Sequence, residues 1–397
     1  MKLARRANIS PSLTLAMNTK AKEMQAKGID VISFAAGEPD FPTPDYVKEA
    51  GINAINTNKT YYTPASGIKD LKEAVIEKLA RENNLEYKIG EVCINSGAKH
   101  SVFNALAVVV EDGDEVVFPA PYWVSYSEMV KILGGKPVVV PTSVKDDFKM
   151  KARDLEKRFT YNTKVVLLNS PNNPTGCVYT KEEIYEIAEF LEDKDVIIIS
   201  DEIYEKIIYD GYEHVSIATY SENIRNKTVV VNGLSKAFSM TGWRIGYCAG
   251  PEEIISAIGK LQGHTSGNPT SISQYAGVTA LTGDTSFIES WVSEFKKRRD
   301  YIVDVLNSIG GVECSIPRGA FYVFPGIEAF FGRKTSGGVK INDSVDLANY
   351  LLEEAHIAVV PGKAFGDDGY IRISFATSME NIKKGMERLR KALIALS

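Results

Sequence analysis

Several side chains in this 397-residue sequence carry groups that can act on one another chemically. Lys236 follows a glycine, a leucine and a serine, and Arg244 comes eight residues later. A carboxylate and a phenol stand close together at Asp201 and Tyr204. Amines, carboxylates, guanidinium groups and phenols hold protons, bind anions and attack carbonyl carbons. Whether these groups act together depends on the helices and strands that position them.

Short β-branched runs alternate with helical patterns from about residue 65 to 285. The predicted strands are residues 92–95, 115–118, 137–141, 164–169, 195–200 and 228–232, and the predicted helices are 71–81, 101–110, 125–133 and 181–191. Residues 165–168 and 196–199 are continuously apolar, which is typical of strands covered by helices on both faces. The pattern predicts an α/β fold with a mostly parallel sheet.

Polar motifs directly follow five of these predicted strands. They are Ser-Gly-Ala-Lys at 96–99, Pro-Ala-Pro-Tyr-Trp at 119–123, Ser-Pro-Asn-Asn-Pro-Thr-Gly at 170–176, Asp-Glu-Ile-Tyr at 201–204 and Gly-Leu-Ser-Lys at 233–236. Ligands of open α/β sheets bind outside the carboxyl ends of the strands. Pyridoxal phosphate needs such a set: a lysine for attachment, a carboxylate for the pyridine nitrogen, donors for the phenolic oxygen and a cationic phosphate cup. The sequence therefore predicts a pyridoxal 5'-phosphate site.

The pattern changes after about residue 285. A long charged helix is predicted near 285–308, hairpin-like segments near 319–324 and 369–375, and helices near 344–354 and 381–396. We expect two domains. A large cofactor-binding α/β domain spans 45–285, and a smaller α+β domain combines 1–44, with an N-terminal arm, and 286–397.

Five segments closely resemble the class I aminotransferases. They are Ala-Gly-Glu-Pro-Asp-Phe-Pro-Thr-Pro at 36–44, the motif at 170–176, Ser-Asp-Glu-Ile-Tyr at 200–204, Ser-Lys-Ala-Phe-Ser-Met-Thr-Gly-Trp-Arg-Ile-Gly at 235–246 and Arg-Ile-Ser-Phe-Ala at 372–376. The resemblance runs from about residue 10 to the C-terminus. It implies a pyridoxal-phosphate enzyme of fold type I, usually a homodimer with active sites at the subunit interface.

The resemblance assigns most of the cofactor contacts. Lys236 forms the Schiff base and then acts as the base, and Asp201 pairs with the pyridinium nitrogen. Tyr204 and Asn173 hydrogen-bond the phenolic oxygen, while Trp123 covers the ring. The phosphate ligands it implies are Gly97, Ala98, Lys99, Ser235, Arg244 and, from the partner subunit, Tyr62. Asp201 has an alternative reading as the N-cap of a following helix.

Substrate recognition is also implied by the resemblance. Arg372 pairs with the α-carboxylate, which a planar guanidinium suits well, and Gly37 lets the backbone approach that carboxylate. Lys99 binds the distal carboxylate with help from the hydroxyls of Ser12 and Thr14. Trp123 and Asn173 also contact the substrate. A structural ion pair is the alternative for Arg372, and a pure phosphate contact is the alternative for Lys99.

These residues predict an aspartate aminotransferase that transfers the amino group of aspartate to 2-oxoglutarate by a ping-pong mechanism, giving oxaloacetate and glutamate. Residues 264–269 contain no arginine, whereas some aspartate aminotransferases read the distal carboxylate with an arginine from that segment. A prephenate or aromatic amino acid aminotransferase remains open, as does a pyridoxal-phosphate lyase that partitions the same carbanion differently.

Composition excludes other classes of function. Lys and Arg number 46 and Asp and Glu number 51, giving a net charge of −5, so no basic footprint for nucleic acid is present. No apolar run approaches the length of a membrane helix. The four cysteines and four histidines are scattered, which predicts reduced buried thiols and no metal site. We expect a cytoplasmic enzyme that binds small amino acids and 2-oxo acids.

Overall fold

The computed structural model describes residues 3–7 and 9–397, except the side chain of Arg5. The strands are β1 (Ile32–Ser33), β2 (Val92–Asn95), β3 (Glu115–Ala120), β4 (Lys136–Pro141), β5 (Thr163–Asn169), β6 (Ile197–Asp201), β7 (Thr228–Gly233), β8 (Gly246–Ala249), β9 (Tyr322–Val323), β10 (Ile357–Ala358), β11 (Val360–Pro361) and β12 (Ile371–Ser374). The α-helices are α1 (Leu13–Ala26), α2 (Asp45–Asn56), α3 (Lys69–Asn83), α4 (Ala98–Val109), α5 (Ser125–Ile132), α6 (Ala152–Glu156), α7 (Lys181–Leu191), α8 (Glu222–Arg225), α9 (Glu252–Thr265), α10 (Ser271–Thr282), α11 (Phe287–Asn307), α12 (Ser344–Glu353) and α13 (Met379–Ile394).

A seven-stranded sheet forms the centre of the molecule, in the order β2-β8-β7-β6-β5-β3-β4. Strand β8 runs antiparallel to β2 and β7, and the remaining neighbours pair in parallel. Every residue of β2, β7 and β8 is buried, because helices cover both faces of the sheet. The mostly parallel α/β fold predicted from the apolar runs is therefore confirmed.

Most predicted elements of the sheet region agree with the structure to within three residues. Strand β2 and helix α7 have the predicted bounds, and α7 begins with a capping box in which Thr180 and Glu183 satisfy each other's backbone N–H groups. Strand β8 was not predicted. It is only four residues long and begins at a glycine, so its pattern carries little strand signal.

The two ends of the chain pack together. Strand β1 pairs in parallel with β10, and the Ser374 N–H donates to the Phe34 carbonyl at 2.9 Å. Gly385 of α13 leaves room for the Phe34 ring, where an added Cβ atom would lie 2.3 Å away. This packing supports a smaller domain made from both chain ends, and the division at residues 45 and 286 stays a prediction.

None of the helices in the described part of the chain has both the length and the apolar character that crossing a lipid bilayer demands.

Candidate active site

A cavity of about 350 Å³ opens at the carboxyl ends of β3, β5, β6 and β7. It lies where the topology predicts a ligand site. The predicted residues that line it are Thr14, Gly37, Ala98, Lys99, Trp123, Asn173, Asp201, Tyr204, Ser235, Lys236, Arg244 and Arg372. Side chains from the central sheet and from both chain ends thus meet around one space.

Lys236 projects its amine into this cavity and donates a hydrogen bond to the Gly37 carbonyl at 2.5 Å. Burial lowers the pKa of this amine to about 8, against the opposing effect of Glu38, and the positive charges of Arg372 and Arg244 lower it further. A lysine that loses its proton this readily is a good nucleophile and proton acceptor at neutral pH.

Asp201 ends strand β6 and is buried at the floor of the cavity. Its Oδ2 accepts a hydrogen bond from the Tyr126 hydroxyl at 2.6 Å, and its Oδ1 accepts one from the Ile203 N–H at 3.3 Å. Burial raises the pKa of Asp201 to about 6, although the Tyr126 hydrogen bond opposes this shift. The chain forms turns after β6, so the alternative role as a helix N-cap is wrong. A buried carboxylate of this kind favours a cationic ligand.

The N-terminus of α4 and Arg244 form a cationic cup. Arg244 donates to the Ser96 carbonyl at 3.2 Å and to the Thr241 carbonyl at 2.9 Å. Gly97 precedes α4 with a φ of 88°, and a Cβ atom there would lie 2.3 Å from the guanidinium. The first N–H groups of a helix have no acceptor within it and bind anions well. This end of the cavity therefore suits a phosphate.

Lys99 lies beside that cup, with its amine 5.0 Å from the centre of the Trp123 ring. Desolvation and the charge of Arg244 lower the pKa of this amine. Lys99 is exposed at the cavity mouth, which leaves it accessible to an anionic group of a second ligand.

Arg372 forms the opposite end of the cavity and is buried. Its guanidinium donates to the Asn173 Oδ1 at 3.1 Å and to the Ala35 carbonyl at 2.7 Å, while its Nε has no hydrogen-bond partner among the described residues. No carboxylate of residues 3–7 and 9–397 lies within ion-pair distance of it, so the structural ion pair considered from the sequence is not formed. A buried guanidinium without a counter-charge is costly, and a bound carboxylate offsets that cost.

Three predicted residues do not line the cavity. Gly97 lies behind Arg244, where it shapes the cup. Ser12 caps helix α1, and its Oγ accepts from the Leu15 N–H at 3.4 Å. Tyr62 is 97% exposed and does not reach the cavity of its own chain. The hydroxyl of Thr14 does line the cavity, where it is buried and has no hydrogen-bond partner in the part of the chain that the structure describes.

The sequence motifs missed several residues of the site. Tyr126 holds Asp201, and its spacing of one helical turn from Trp123 was an available signal. Asn169 donates to the Asp201 carbonyl and accepts from the Asn173 N–H, both at 2.9 Å. The Tyr322 hydroxyl bonds that of Tyr204 at 2.8 Å, and this pairing over 118 residues has no local signal.

Comparison with known proteins identifies the family. A family model described as aminotransferase class I and II matches residues 29–389. The chain belongs to this family. The class I aminotransferase resemblance read from the five motifs, and the fold type that it implied, are thereby confirmed.

Relatives in this family match the chain over nearly its whole length. It is 45% identical over 396 residues to the aspartate aminotransferase of Geobacillus stearothermophilus, with 100% of both chains covered. It is 44% identical over 392 residues to a probable aspartate/prephenate aminotransferase of Aquifex aeolicus, with 98% of each covered. The crystal structure of the aspartate aminotransferase of Rhizobium meliloti matches with a TM-score of 0.96 at 42% identity, covering 100% of both chains.

Proposed function

We propose that this chain is an aspartate aminotransferase that converts aspartate and 2-oxoglutarate to oxaloacetate and glutamate by a ping-pong mechanism. The observation that carries the proposal is the buried Arg372, whose guanidinium faces the cavity without a carboxylate partner. Lys99 and the unpartnered hydroxyl of Thr14 line the same cavity. Cationic groups at separate positions suit a substrate with two carboxylates. The names of the full-length relatives agree with this choice.

The residues present fit pyridoxal 5'-phosphate. Lys236 would hold it covalently, Asp201 would face its ring nitrogen, and Trp123 would cover the ring. Asn173 and Tyr204 would donate hydrogen bonds to its phenolic oxygen. The phosphate contacts would come from Gly97, Ala98, Lys99, Ser235 and Arg244. The cup that a Cβ at Gly97 would fill supports this fit.

When bound, pyridoxal phosphate supplies an electron sink for the bonds at the substrate's α-carbon. Arg372 would orient the α-carboxylate, with Gly37 providing close backbone approach. Lys236, whose pKa is about 8, would take the proton from the α-carbon as general base. Lys99 would hold the distal carboxylate, with Thr14 contributing its hydroxyl. Ser12 would contact the distal carboxylate only after the hydrogen bond from the Leu15 N–H to its Oγ is broken.

The enzyme is also proposed to work in the cytoplasm as a homodimer, in which Tyr62 reaches the phosphate of the partner's site. Tyr62 is 97% exposed, which supports this role, because burying a large aromatic side chain against a partner subunit is energetically favourable.

Steady-state rates test the reaction. We expect the highest kcat/KM with aspartate as donor to 2-oxoglutarate, and lower values with phenylalanine or alanine. Incubating the holoenzyme with aspartate alone should release oxaloacetate in stoichiometric amount. Release of pyruvate or ammonia would instead indicate a lyase. K236A should lower kcat by at least about 10²-fold, since it removes both the attachment point and the base.

A second candidate function is transfer from aspartate to prephenate, because the Aquifex aeolicus relative is named for both substrates. The two activities share the aspartate half-reaction, so the acceptor decides between them. Rates with 2-oxoglutarate and with prephenate at equal concentration separate them. A kcat/KM higher for prephenate would replace the first assignment.

Replacing Lys99 tests the distal carboxylate contact. K99M should raise the KM for aspartate and 2-oxoglutarate by about tenfold, the loss expected for one charge-assisted hydrogen bond. The KM for phenylalanine should change much less. K181M removes an exposed lysine of α7 as a control. An equal rise for aspartate and phenylalanine would favour the alternative role, a pure phosphate contact.

A further inference from the structure

A second buried carboxylate lies directly next to Asp201. Glu202 is 1% exposed, and its Oε1 accepts hydrogen bonds from the Ser200 hydroxyl at 2.8 Å and the Ser216 hydroxyl at 2.6 Å. Its Oε2 lies 2.9 Å from the Nε2 of His214. Successive side chains at a strand end point to opposite faces, so Asp201 reaches the cavity and Glu202 points away from it. Two adjacent buried carboxylates disfavour each other's ionised form.

His214 is the hydrogen-bond partner of Glu202 at this position. Burial lowers the pKa of its imidazole, but the charge and hydrogen bond of Glu202, together with the charge of Glu205, outweigh burial and raise it. The other facing cation is Lys78 of α3, which opposes the rise and is hydrogen-bonded to Glu205. Asn83 also donates to Glu205, at 2.6 Å.

These groups resemble a metal site in composition, since ligand atoms of Glu202, Glu205 and His214 lie within 4.8 Å of one another. The ammonium of Lys78 already contacts Glu205 and balances its charge. A protonated His214 would balance Glu202 in the same way, and two cations would then match the two carboxylates without a metal ion.

We propose that His214 is a positioning residue for the proposed aminotransferase reaction: as a cation it neutralises Glu202, so that Asp201 stays ionised to hold the cofactor's ring nitrogen. Glu202 without a counter-charge increases the proton affinity of Asp201, and a protonated Asp201 stabilises no cation. The proposal rests on the proposed function, because Asp201 has this task only in a pyridoxal-phosphate enzyme.

The protonation state of His214 can be measured directly. Histidine side-chain NMR of the holoenzyme over a pH series should show His214 protonated at pH 7. The signal is assigned by its absence in H214Q, or by eliminating the others with H100Q, H264Q and H356Q if H214Q does not fold. The variant E202Q should lower the pKa of His214. A neutral His214 at pH 7 overturns the proposal.

Two variants test the effect on Asp201. H214Q should weaken pyridoxal phosphate binding and lower kcat by about tenfold each, the equivalent of one pKa unit. It should also move the pH midpoint of the bound cofactor's absorbance change upward, because it leaves an extra negative charge. The double variant E202Q/H214Q should restore all three values, and H264Q should change none.

A merely structural His214 gives a different result. H214Q then lowers the melting temperature but leaves the absorbance midpoint in place, and E202Q restores nothing. That outcome overturns the proposal. Failure of the aminotransferase assignment is distinguishable, because wild-type enzyme would then show no turnover of aspartate while the NMR titration of His214 is unaffected.

Discussion

At the scale of residues, the site contains ionisable groups whose burial opposes their charge. Burial raises the pKa of Asp201 to about 6 and lowers that of Lys236 to about 8. The shift at Lys236 brings this amine closer to neutral pH, where a general base is most efficient, whereas the shift at Asp201 disfavours its ionised form. In the apoenzyme these desolvated charges reduce the stability of the fold.

This destabilisation predicts that D201N makes the apoenzyme more stable. The native state holds a proton on Asp201 between pH 3.8 and about 6, where the unfolded chain has lost it. The free energy of unfolding therefore falls as the pH rises through that window. Above it, D201N should gain about 3 kcal/mol, the equivalent of a two-unit shift.

Urea unfolding of the apoenzymes at pH 7.5 measures this gain, and D195N provides an exposed control. Near pH 3.5 the gain should almost disappear, since Asp201 is then protonated in the native state and mostly protonated in the unfolded state. D201N should at the same time bind pyridoxal phosphate more weakly. Equal or lower stability of D201N at pH 7.5 would mean that burial of the charged Asp201 does not destabilise the apoenzyme.

At the scale of elements, the N-terminus of α4 is shaped by a glycine. Gly97 combines a positive φ with close approach to Arg244, so G97A both strains the backbone and displaces the guanidinium. We expect the dissociation constant for pyridoxal phosphate to rise by at least about tenfold, as for the loss of one charge-assisted hydrogen bond.

Gly113 offers a matched control for this prediction. Its φ of 97° is equally unfavourable for alanine, but apart from its chain neighbours no described residue places an atom within 4 Å of an added Cβ. G113A should therefore reduce stability without changing cofactor affinity, as measured by fluorescence titration of the apoenzymes. If both variants lose the same affinity, the effect comes from backbone strain and not from Arg244.

The elements also show how far the sequence predicts the site. Strand ends were predictable because continuous apolar runs mark buried strands and their carboxyl ends converge. This placed Asp201, Asn173 and Lys236 correctly around one cavity. Tyr322 was not predictable, because its contact with Tyr204 depends on how two distant parts of the chain pack. Ser12 shows the opposite case: its hydroxyl satisfies a helix N–H, a local role that competes with the predicted ligand contact.

At the scale of the whole molecule, the proposed homodimer completes the site. Y62F should weaken pyridoxal phosphate binding by about tenfold, since it removes a hydroxyl donor to a charged phosphate. Y161F is the control, because Tyr161 is 96% exposed. Light scattering of the holoenzyme should give twice the chain mass of 43.7 kDa. A monomeric mass, or equal affinities of Y62F and Y161F, would exclude this contribution from a partner.

The contact between Arg372 and the Ala35 carbonyl joins residues made at very different times. The ribosome adds Arg372 to the chain 337 residues after Ala35, and chains fold by units as they emerge. A nascent chain that already carries Lys236 and Arg244 would contain the proposed phosphate ligands but not the guanidinium proposed for the α-carboxylate. Translation would then complete the proposed cofactor end of the cavity before the proposed substrate end.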